Sequence, residues 1–311
     1  MKLAMVFPGQ GSQSVGMLKG YEGLAGVDAV RAQAGEALGA DFLRLLDEGP
    51  AEQLNLTVNT QPAMVTAAIA AYRAWLAAGG PPPALVAGHS LGEYSALVAA
   101  GALTLEAALP LVRFRAQSMQ EAVPAGTGAM AAILGLDDDA TRAACAEAAQ
   151  NEIVEAVNFN GPGQVVIAGH KAAVARAIEA CKARGAKRAM PLPVSAPFHS
   201  SLLKPAGEKL AGYLKSVPLK TPTIQLVNNV DVRIEGDSEK IKDALVRQAS
   251  SPVRWSEVIQ AMAGQGVTHV IECGPGKVLA GMVKRIAPSM HGLGAADKAS
   301  LENALATVKG G

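Results

Sequence analysis

The stretch ALVAGHSLG, residues 84–92, decides the fold of this chain. Four apolar residues typical of a buried strand lead into Gly-His-Ser-Leu-Gly, and an Ala/Leu-rich segment typical of a helix follows from Glu93. A strand, a sharp turn that carries a serine, and a helix form a nucleophile elbow, in which flanking glycines relieve crowding. The pattern predicts an α/β fold with Ser90 at the edge of a sheet, beside N–H groups of a helix start. The alternative is a serine that merely caps a helix.

The composition fits a layered α/β protein. The chain has 311 residues, of which 50% are hydrophobic and only 4% aromatic, so small aliphatic side chains can fill a large core. A formal net charge of +1 gives no reason to expect a nucleic-acid partner. The N-terminal apolar run stops at Pro8, and no stretch approaches the ~20 apolar residues of a membrane span. We therefore expect no membrane partner and a cytoplasmic location.

Short apolar runs alternate with helical segments along most of the chain, as in a parallel sheet covered by helices. The predicted strands are residues 2–7, 84–87, 223–228 and 269–273. The predicted helices are residues 61–78, 93–100, 104–121, 203–216, 239–249 and 255–264.

The middle of the chain has a different pattern. Strands are predicted at 129–134, 153–158, 164–168 and 187–192, and helices at 138–150 and 171–184. The order β-α-β-β-α-β is that of a ferredoxin-like unit. The predicted fold is thus a large α/β-hydrolase-like domain with a parallel sheet, residues 1–125 and 194–311, plus an inserted small ferredoxin-like (βαββαβ) subdomain, residues 126–193. The cleft between them would be a natural substrate site.

A serine hydroxyl is a weak nucleophile until a base takes its proton. Among the five histidines, His199 is the candidate base, because it lies in a proline-pinned loop, residues 193–201, where the chain returns from the inserted unit. His89 lies within the elbow, and we expect its side chain to point away from Ser90. A loop histidine without a catalytic role is the alternative interpretation of His199.

Several motifs follow one another along the chain. They are FPGQGSQ at 7–13, GHSLGEY at 88–94, the segment 115–120, NFNGPGQ at 158–164 and ECGPGK at 272–277. In this order they resemble the malonyl-CoA:acyl-carrier-protein transacylase family of bacterial fatty acid synthesis, from near residue 1 to about residue 287. The resemblance implies transfer of malonyl from malonyl-CoA to the phosphopantetheine thiol of acyl carrier protein, by a ping-pong mechanism through a malonyl-serine ester.

The resemblance also implies roles for individual residues. Ser90 would attack the malonyl thioester, and His199 would act as general base and then as general acid. The backbone carbonyl of Gln248 would orient the imidazole in place of an acidic third member. The backbone N–H groups of Gln10 and Leu91 would form the oxyanion hole.

Arg115 would select the acyl group. By the resemblance it pairs with the free carboxylate of malonyl, and a neutral acyl group would leave its buried guanidinium without a partner. From the residues alone, a surface arginine on a helix is the alternative. Phe198, Asn160 and Met119 would line the substrate pocket. Phe198 replaces a serine of many bacterial family members, and we predict that its ring favours malonyl over methylmalonyl.

We expect no cofactor and no metal. Acyl transfer between thiols is redox-neutral, and residues 9–14 and 274–278 lack the full dinucleotide and P-loop patterns. The three cysteines show no metal-ligand spacing to any histidine. The expected partners are malonyl-CoA and acyl carrier protein. A group of basic residues is either the docking surface for the carrier or simply a solvated face: Lys182, Arg184, Lys187, Arg188, Lys284 and Arg285.

Two other functions use the same motifs. A serine thioesterase or esterase has the same elbow but passes the ester to water, and it has no need of a cation such as Arg115. A non-catalytic scaffold that binds carrier protein would not need both Ser90 and His199.

Overall fold

Two sheets organise the chain in the computed structural model, which describes residues 1–194 and 196–310. Ser195, which falls within the predicted loop 193–201, and Gly311 lie outside the described residues. The strands are β1 (Leu3–Phe7), β2 (Leu85–Gly88), β3 (Gly128–Leu134), β4 (Val154–Gly161), β5 (Gln164–His170), β6 (Arg188–Pro191), β7 (Gln225–Leu226), β8 (His269–Cys273) and β9 (His291–Ala295).

Helices cover both faces of the larger sheet, and helical residues pack on both faces of the smaller one. They are α1 (Val27–Leu38), α2 (Ala40–Glu48), α3 (Ala51–Leu54), α4 (Thr57–Ala77), α5 (Gly92–Ala99), α6 (Leu105–Glu121), α7 (Asp138–Ala149), α8 (Lys171–Ala183), α9 (Lys204–Leu214), α10 (Ser238–Gln248), α11 (Trp255–Gly264), α12 (Val278–Ile286) and α13 (Lys298–Gly310). Short 3-10 helices occur at Met17–Tyr21 and Ser201–Leu203.

The larger sheet has five parallel strands in the order β7-β2-β1-β8-β9. All five residues of the central strand β1 are buried, as is expected of a strand with helices on both faces. The carboxyl ends of parallel strands meet at one edge, where α/β proteins place their ligands. The segments after β1, β2, β7 and β8 therefore converge on the same place.

The smaller sheet is antiparallel, in the order β4-β5-β3-β6, and α7 and α8 pack on it through a core of small side chains. Backbone hydrogen bonds connect its edge strand β4 to Val253, since Val253 N donates to Val157 O and Phe159 N donates to Val253 O. The prediction of an α/β fold with a parallel sheet and a second, smaller sheet is confirmed. The domain boundaries at 125/126 and 193/194 remain predictions.

Two elements of the parallel sheet differ from the prediction. The strand predicted at 223–228 is wrong in length, because the observed strand is Gln225–Leu226, and Thr223 N donates a hydrogen bond to Ala100 O. The strand β9 was not predicted, since its two glycines argue against a strand. A Cβ on Gly292 would lie 2.2 Å from Ala280 O, so the glycine is needed where α12 crosses the sheet closely. Helices α1, α2, α3, α12 and α13 were not predicted either.

The long helix α4 is buried over most of its length and forms one side of the main core. Its sequence is rich in alanine, which lets it pack closely against the sheet. Neither α4 nor any other helix in residues 1–194 and 196–310 is both long and apolar enough to span a lipid bilayer.

Candidate active site

Ser90 lies on the turn between β2 and α5. Its φ is 52°, a left-handed conformation that is rare for a residue other than glycine. The flanking glycines make this turn possible. A Cβ on Gly88 would lie 1.8 Å from the carbonyl carbon of Gly92, and a Cβ on Gly92 would lie 2.0 Å from Phe7 O. The turn is therefore a tight one that only glycine permits at both positions.

The side chain of Asn229 holds this turn from the neighbouring strand. Its Oδ1 accepts a 2.7 Å hydrogen bond from Ser90 N, and its Nδ2 donates one of 2.7 Å to Gly88 O. Asn229 is fully buried just after β7, at the edge of the sheet where the strand ends converge. These bonds satisfy the N–H of Ser90 and the carbonyl of Gly88, two backbone groups that the left-handed turn leaves without a partner from regular secondary structure. Asn229 belongs to none of the motifs recognised in the sequence.

A hydrogen bond of 2.6 Å joins Ser90 Oγ to His199 Nε2. The other ring nitrogen, Nδ1, lies 2.9 Å from the backbone carbonyl oxygen of Gln248. Because a carbonyl only accepts, Nδ1 carries the hydrogen and Nε2 is free to accept from the serine. Burial, and then the charge of Arg115, lowers the pKa of His199 to about 3. The imidazole is therefore neutral at neutral pH and able to take a proton.

Arg115, on α6, is buried beside this pair with 2% of its surface exposed. Its Nη2 donates to Ser90 Oγ at 3.2 Å and to Gln248 Oε1 at 2.9 Å, and its Nη1 donates to Gln61 Oε1 at 2.8 Å. The Tyr94 ring lies under the guanidinium, 5.4 Å from its carbon. The alternative interpretation of Arg115 as a surface residue is wrong.

The two residues of the predicted oxyanion hole lie on either side of the elbow. Leu91 precedes the first residue of α5, so its N–H belongs to the N-terminus of that helix. Gln10 follows Gly9, whose missing side chain lets the loop pack against the elbow, since a Cβ there would lie 2.9 Å from His89 O. The Gln10 side chain accepts a 2.6 Å hydrogen bond from Thr57 Oγ1. The oxyanion role of both N–H groups remains a prediction.

A cavity of about 260 Å³ opens at this edge of the parallel sheet. It is lined by the loop 8–12, by His89, Asn158 and Asn160, and by Val278, Leu279 and Met282 of α12. His89 Nε2 bonds to Asn160 Oδ1 at 2.8 Å, so this histidine is engaged with β4 of the smaller sheet. The cavity therefore lies where the two sheets meet, and it includes Asn160 and Gln10 from the predicted set.

Phe198 and Met119 lie in a small apolar cluster that also contains Met130, Val157 and Leu203. Met119 is fully buried, and Phe198 has 8% of its surface exposed. Their role as pocket residues remains a prediction.

Comparison with known proteins places the chain in a family. Residues 4–303 match the family model of the acyl transferase domain. The chain belongs to the acyl transferase family. The resemblance inferred from the order of the motifs is thereby confirmed.

Several relatives of this acyl transferase have names that specify the acyl group. The chain is 56% identical over 290 residues to the malonyl CoA-acyl carrier protein transacylase of Escherichia coli strain K12, covering 93% of this chain and 94% of that protein. It is 44% identical over 310 residues to the protein of the same name from Bacillus subtilis strain 168, covering 99% of this chain and 98% of that protein.

Solved structures show the same fold over nearly the whole chain. The acyl-carrier-protein S-malonyltransferase of Burkholderia pseudomallei 1710b is 63% identical, with a TM-score of 0.96 over 98% of this chain and 99% of that one. A malonyl-transacylase solved in complex with its type II PKS acyl carrier protein is 51% identical, with a TM-score of 0.95 over 99% of this chain and 100% of that one.

The acyl transferase site contains two further polar residues that sequence reasoning missed. Glu93, 1% exposed, accepts hydrogen bonds from Asn229 N at 3.0 Å and from Gln248 Nε2 at 2.9 Å. Burial raises its pKa to about 7. Gln61, on α4, accepts from Arg115. Other polar residues stand beside both in their helices, Thr60 before Gln61 and Ser95 after Glu93, so no local pattern distinguishes them.

Part of the predicted docking group is already engaged within this acyl transferase. Lys182 pairs with Glu179 at 2.8 Å, and Arg184 pairs with Glu147. Arg285 donates to Pro162 O. Within residues 1–194 and 196–310, no group of three or more His, Cys, Asp or Glu side chains is arranged to hold a metal ion.

Proposed function

We propose that this acyl transferase moves the malonyl group from malonyl-CoA to the phosphopantetheine thiol of acyl carrier protein, through a malonyl ester of Ser90. One observation carries the proposal: a buried guanidinium, that of Arg115, lies within hydrogen-bond distance of a serine that is also bonded to an imidazole. The names of the relatives in Escherichia coli and Bacillus subtilis support the same acyl group and acceptor.

Acylation of the serine begins with proton transfer. Ser90 Oγ gives its proton to His199 Nε2 as it attacks the thioester carbon, and the Gln248 carbonyl stabilises the imidazolium that forms. The N–H groups of Gln10 and Leu91 receive the developing oxyanion. The C–S bond then breaks, the sulfur takes the proton from Nε2, and coenzyme A leaves as the thiol.

Discharge of the ester reverses these steps with a different thiol. The pantetheine thiol gives its proton to His199 Nε2 and attacks the ester carbon. The bond between that carbon and Ser90 Oγ breaks, and Oγ recovers the proton from Nε2. In each step one atom gives up a proton and another takes it up, and no atom changes its oxidation state. The reaction therefore needs no redox cofactor.

Arg115 gives the reaction its selectivity. A malonyl group on Ser90 carries a free carboxylate two bonds beyond the reacting carbon, and the guanidinium offers a planar set of donors to it. An acetyl group would leave the buried cation without an anionic partner, which is costly. The site argues against a serine thioesterase or esterase, because the hydrolysis of a neutral ester does not require a buried cation beside the nucleophile.

Intact-mass measurement tests the proposal. Incubation with malonyl-CoA should give a malonyl adduct that maps to Ser90, and holo acyl carrier protein should discharge it faster than buffer does. Ser90→Ala is the matched control and should give no adduct. An adduct lost equally fast to buffer would identify a hydrolase, and no adduct on the unsubstituted protein would refute malonyl transfer.

The expected cytoplasmic location remains a prediction.

A further inference from the structure

Arg115 is a buried cation whose charge the described ion pairs do not balance. None of the salt bridges in residues 1–194 and 196–310 includes it. Its hydrogen-bond acceptors are neutral: the Oγ of Ser90 and the amide oxygens of Gln61 and Gln248. Burying a charge without an anion nearby is costly, so a compensating group is expected close to it.

Glu93 is the buried carboxylate that meets this need, and the side chain of Gln248 connects the two. The amide of Gln248 accepts from Arg115 Nη2 through Oε1 at 2.9 Å and donates to Glu93 Oε2 through Nε2, also at 2.9 Å. The amide dipole is thus aligned between the cation and the anion. The same Nε2 donates to Ser90 O at 3.1 Å, which fixes the orientation of the amide.

We propose that Glu93 is the resident counterion of Arg115 and that its carboxyl becomes more protonated when the substrate carboxylate binds to this arginine, an inference that rests on the proposed function. The two carboxylates compete for one positive charge. Once the substrate supplies a second anion beside Arg115, the charged form of Glu93 is no longer compensated in its buried position. Glu93 is therefore a positioning residue whose protonation is linked to substrate binding.

The charges around Glu93 support this exchange. Burial raises the pKa of Glu93 to about 7, and the hydrogen bonds from Gln248 and Asn229, followed by the positive charge of Arg115 on α6, oppose that rise. From the segment after β7, Asp231 raises it further, although Asp231 is itself paired with Arg247 at 2.7 Å. At neutral pH the carboxyl is thus close to half ionised, so weakening the effect of Arg115 shifts it toward the protonated form.

The sign of the pH dependence follows from this linkage. Below pH 6 Glu93 is already protonated, and the substrate carboxylate binds without proton uptake. Above pH 7 binding requires a proton, so the apparent KM for malonyl-CoA rises with pH. A shift of one pKa unit on binding corresponds to about a tenfold change, so we expect up to about a tenfold rise between pH 6 and pH 8.5.

Glu93→Gln separates charge from structure. The Gln carbonyl oxygen can take the place of Oε2 and accept from both Asn229 N and Gln248 Nε2, so only the ionisable group is lost. Glu272→Gln is the matched control, because Glu272 is also a buried carboxylate whose pKa is raised to about 7, but it bonds to Ala280 N at the start of α12.

The test measures proton uptake and the apparent KM on the same protein preparations. Calorimetry of malonylation in buffers of different ionisation enthalpy at pH 7.5 should show net proton uptake for the unsubstituted protein and for Glu272→Gln, and none for Glu93→Gln. The apparent KM should rise with pH in the first two proteins and stay flat in Glu93→Gln.

Adduct mass, measured in parallel, separates the two hypotheses. A malonyl adduct without proton uptake, or an unchanged KM profile in Glu93→Gln, overturns the role of Glu93 and leaves malonyl transfer intact. Absence of the adduct on the unsubstituted protein overturns both. A Glu93→Gln protein that loses activity equally at every pH shows a purely structural role for Glu93 and also overturns the inference.

Discussion

The Nη2 atom of Arg115 lies 3.2 Å from the Oγ atom of Ser90, so a buried cation and a nucleophile share one hydrogen bond. A group that must recognise the far end of a short acyl chain has to be this close to the serine that carries the other end. The distance therefore limits the acyl group by length as well as by charge. It also places the cation near enough to the imidazole to depress the pKa of His199.

Replacing the cation should abolish the preference for malonyl. We expect Arg115→Ala to lower kcat/KM for malonyl-CoA by about 100- to 1000-fold, the range for losing a buried charged hydrogen-bond partner, while loading of acetyl-CoA changes much less. Arg113→Ala is the matched control on the same helix, since Arg113 lies over the Phe42 ring instead. The test measures kcat/KM for malonyl-CoA and for acetyl-CoA in parallel. Equal losses of kcat/KM for the two thioesters would contradict the role of Arg115.

The base should stay active well into the acid range. Since the pKa of His199 is lowered to about 3, the imidazole is neutral above that value, and acid inactivation should begin far below its ordinary value of 6.5. A neutral organophosphate tests this without involving Arg115: its rate of reaction with Ser90 should be flat from pH 7 down to about pH 5. His199→Ala should slow labelling across the whole range. A midpoint near pH 6.5 would contradict the prediction.

Glu272 should make the fold less stable at high pH. Burial raises its folded-state pKa from 4.5 to about 7. The contribution of Glu272 to the free energy of unfolding is therefore complete below pH 4.5 and is lost as the pH rises through 7. We expect Glu272→Gln to gain stability relative to the unsubstituted protein across that window, by up to about 1.4 kcal/mol for each pH unit. Denaturant unfolding at several pH values measures the difference.

The exposed Glu208 on α9 provides the control for that series, because the same exchange there removes a carboxyl at the surface and leaves the buried core unchanged. A difference between Glu272→Gln and the unsubstituted protein that is constant from pH 5 to pH 8 would show that ionisation of Glu272 is not involved.

Phe198 should limit branching at the acyl α-carbon. The unsubstituted protein should prefer malonyl-CoA to methylmalonyl-CoA, and Phe198→Ser should raise the relative use of methylmalonyl-CoA by about tenfold or more, the value of one methyl group in a tight pocket. Competition assays with both thioesters measure the ratio, and cooperative thermal unfolding checks that the apolar cluster around Phe198 survives. Comparable turnover of both substrates by the unsubstituted protein would refute the idea.

Local sequence patterns predicted the elements that carry the site. The strand β8 was predicted with its observed bounds, because an apolar run there is closed by Gly274. The elbow was recognisable because it needs glycine on both sides of one serine. By contrast, β9 contains glycines for a reason that lies on another element, the close passage of α12 over Gly292. No local pattern contains that information.

The polar residues around the elbow were predictable only in part. Ser90 and His199 belong to motifs or to a distinctive loop, whereas Asn229 follows a strand of only two residues and Gln61 lies near the start of the long helix α4. Their positions depend on which strand ends meet at the edge of the sheet. That is a property of strand order, and strand order is decided by long-range packing that short patterns do not record.

The pairing of β1 also has a consequence for synthesis of the protein. This strand precedes both of its partners along the chain, and it pairs on one side with β2 and on the other with β8, residues 269–273. A nascent chain that has not reached those residues keeps one edge of an apolar strand open, which is a hazard for aggregation. That edge can close only after residues 269–273 have been synthesised, so the centre of the larger sheet is completed late.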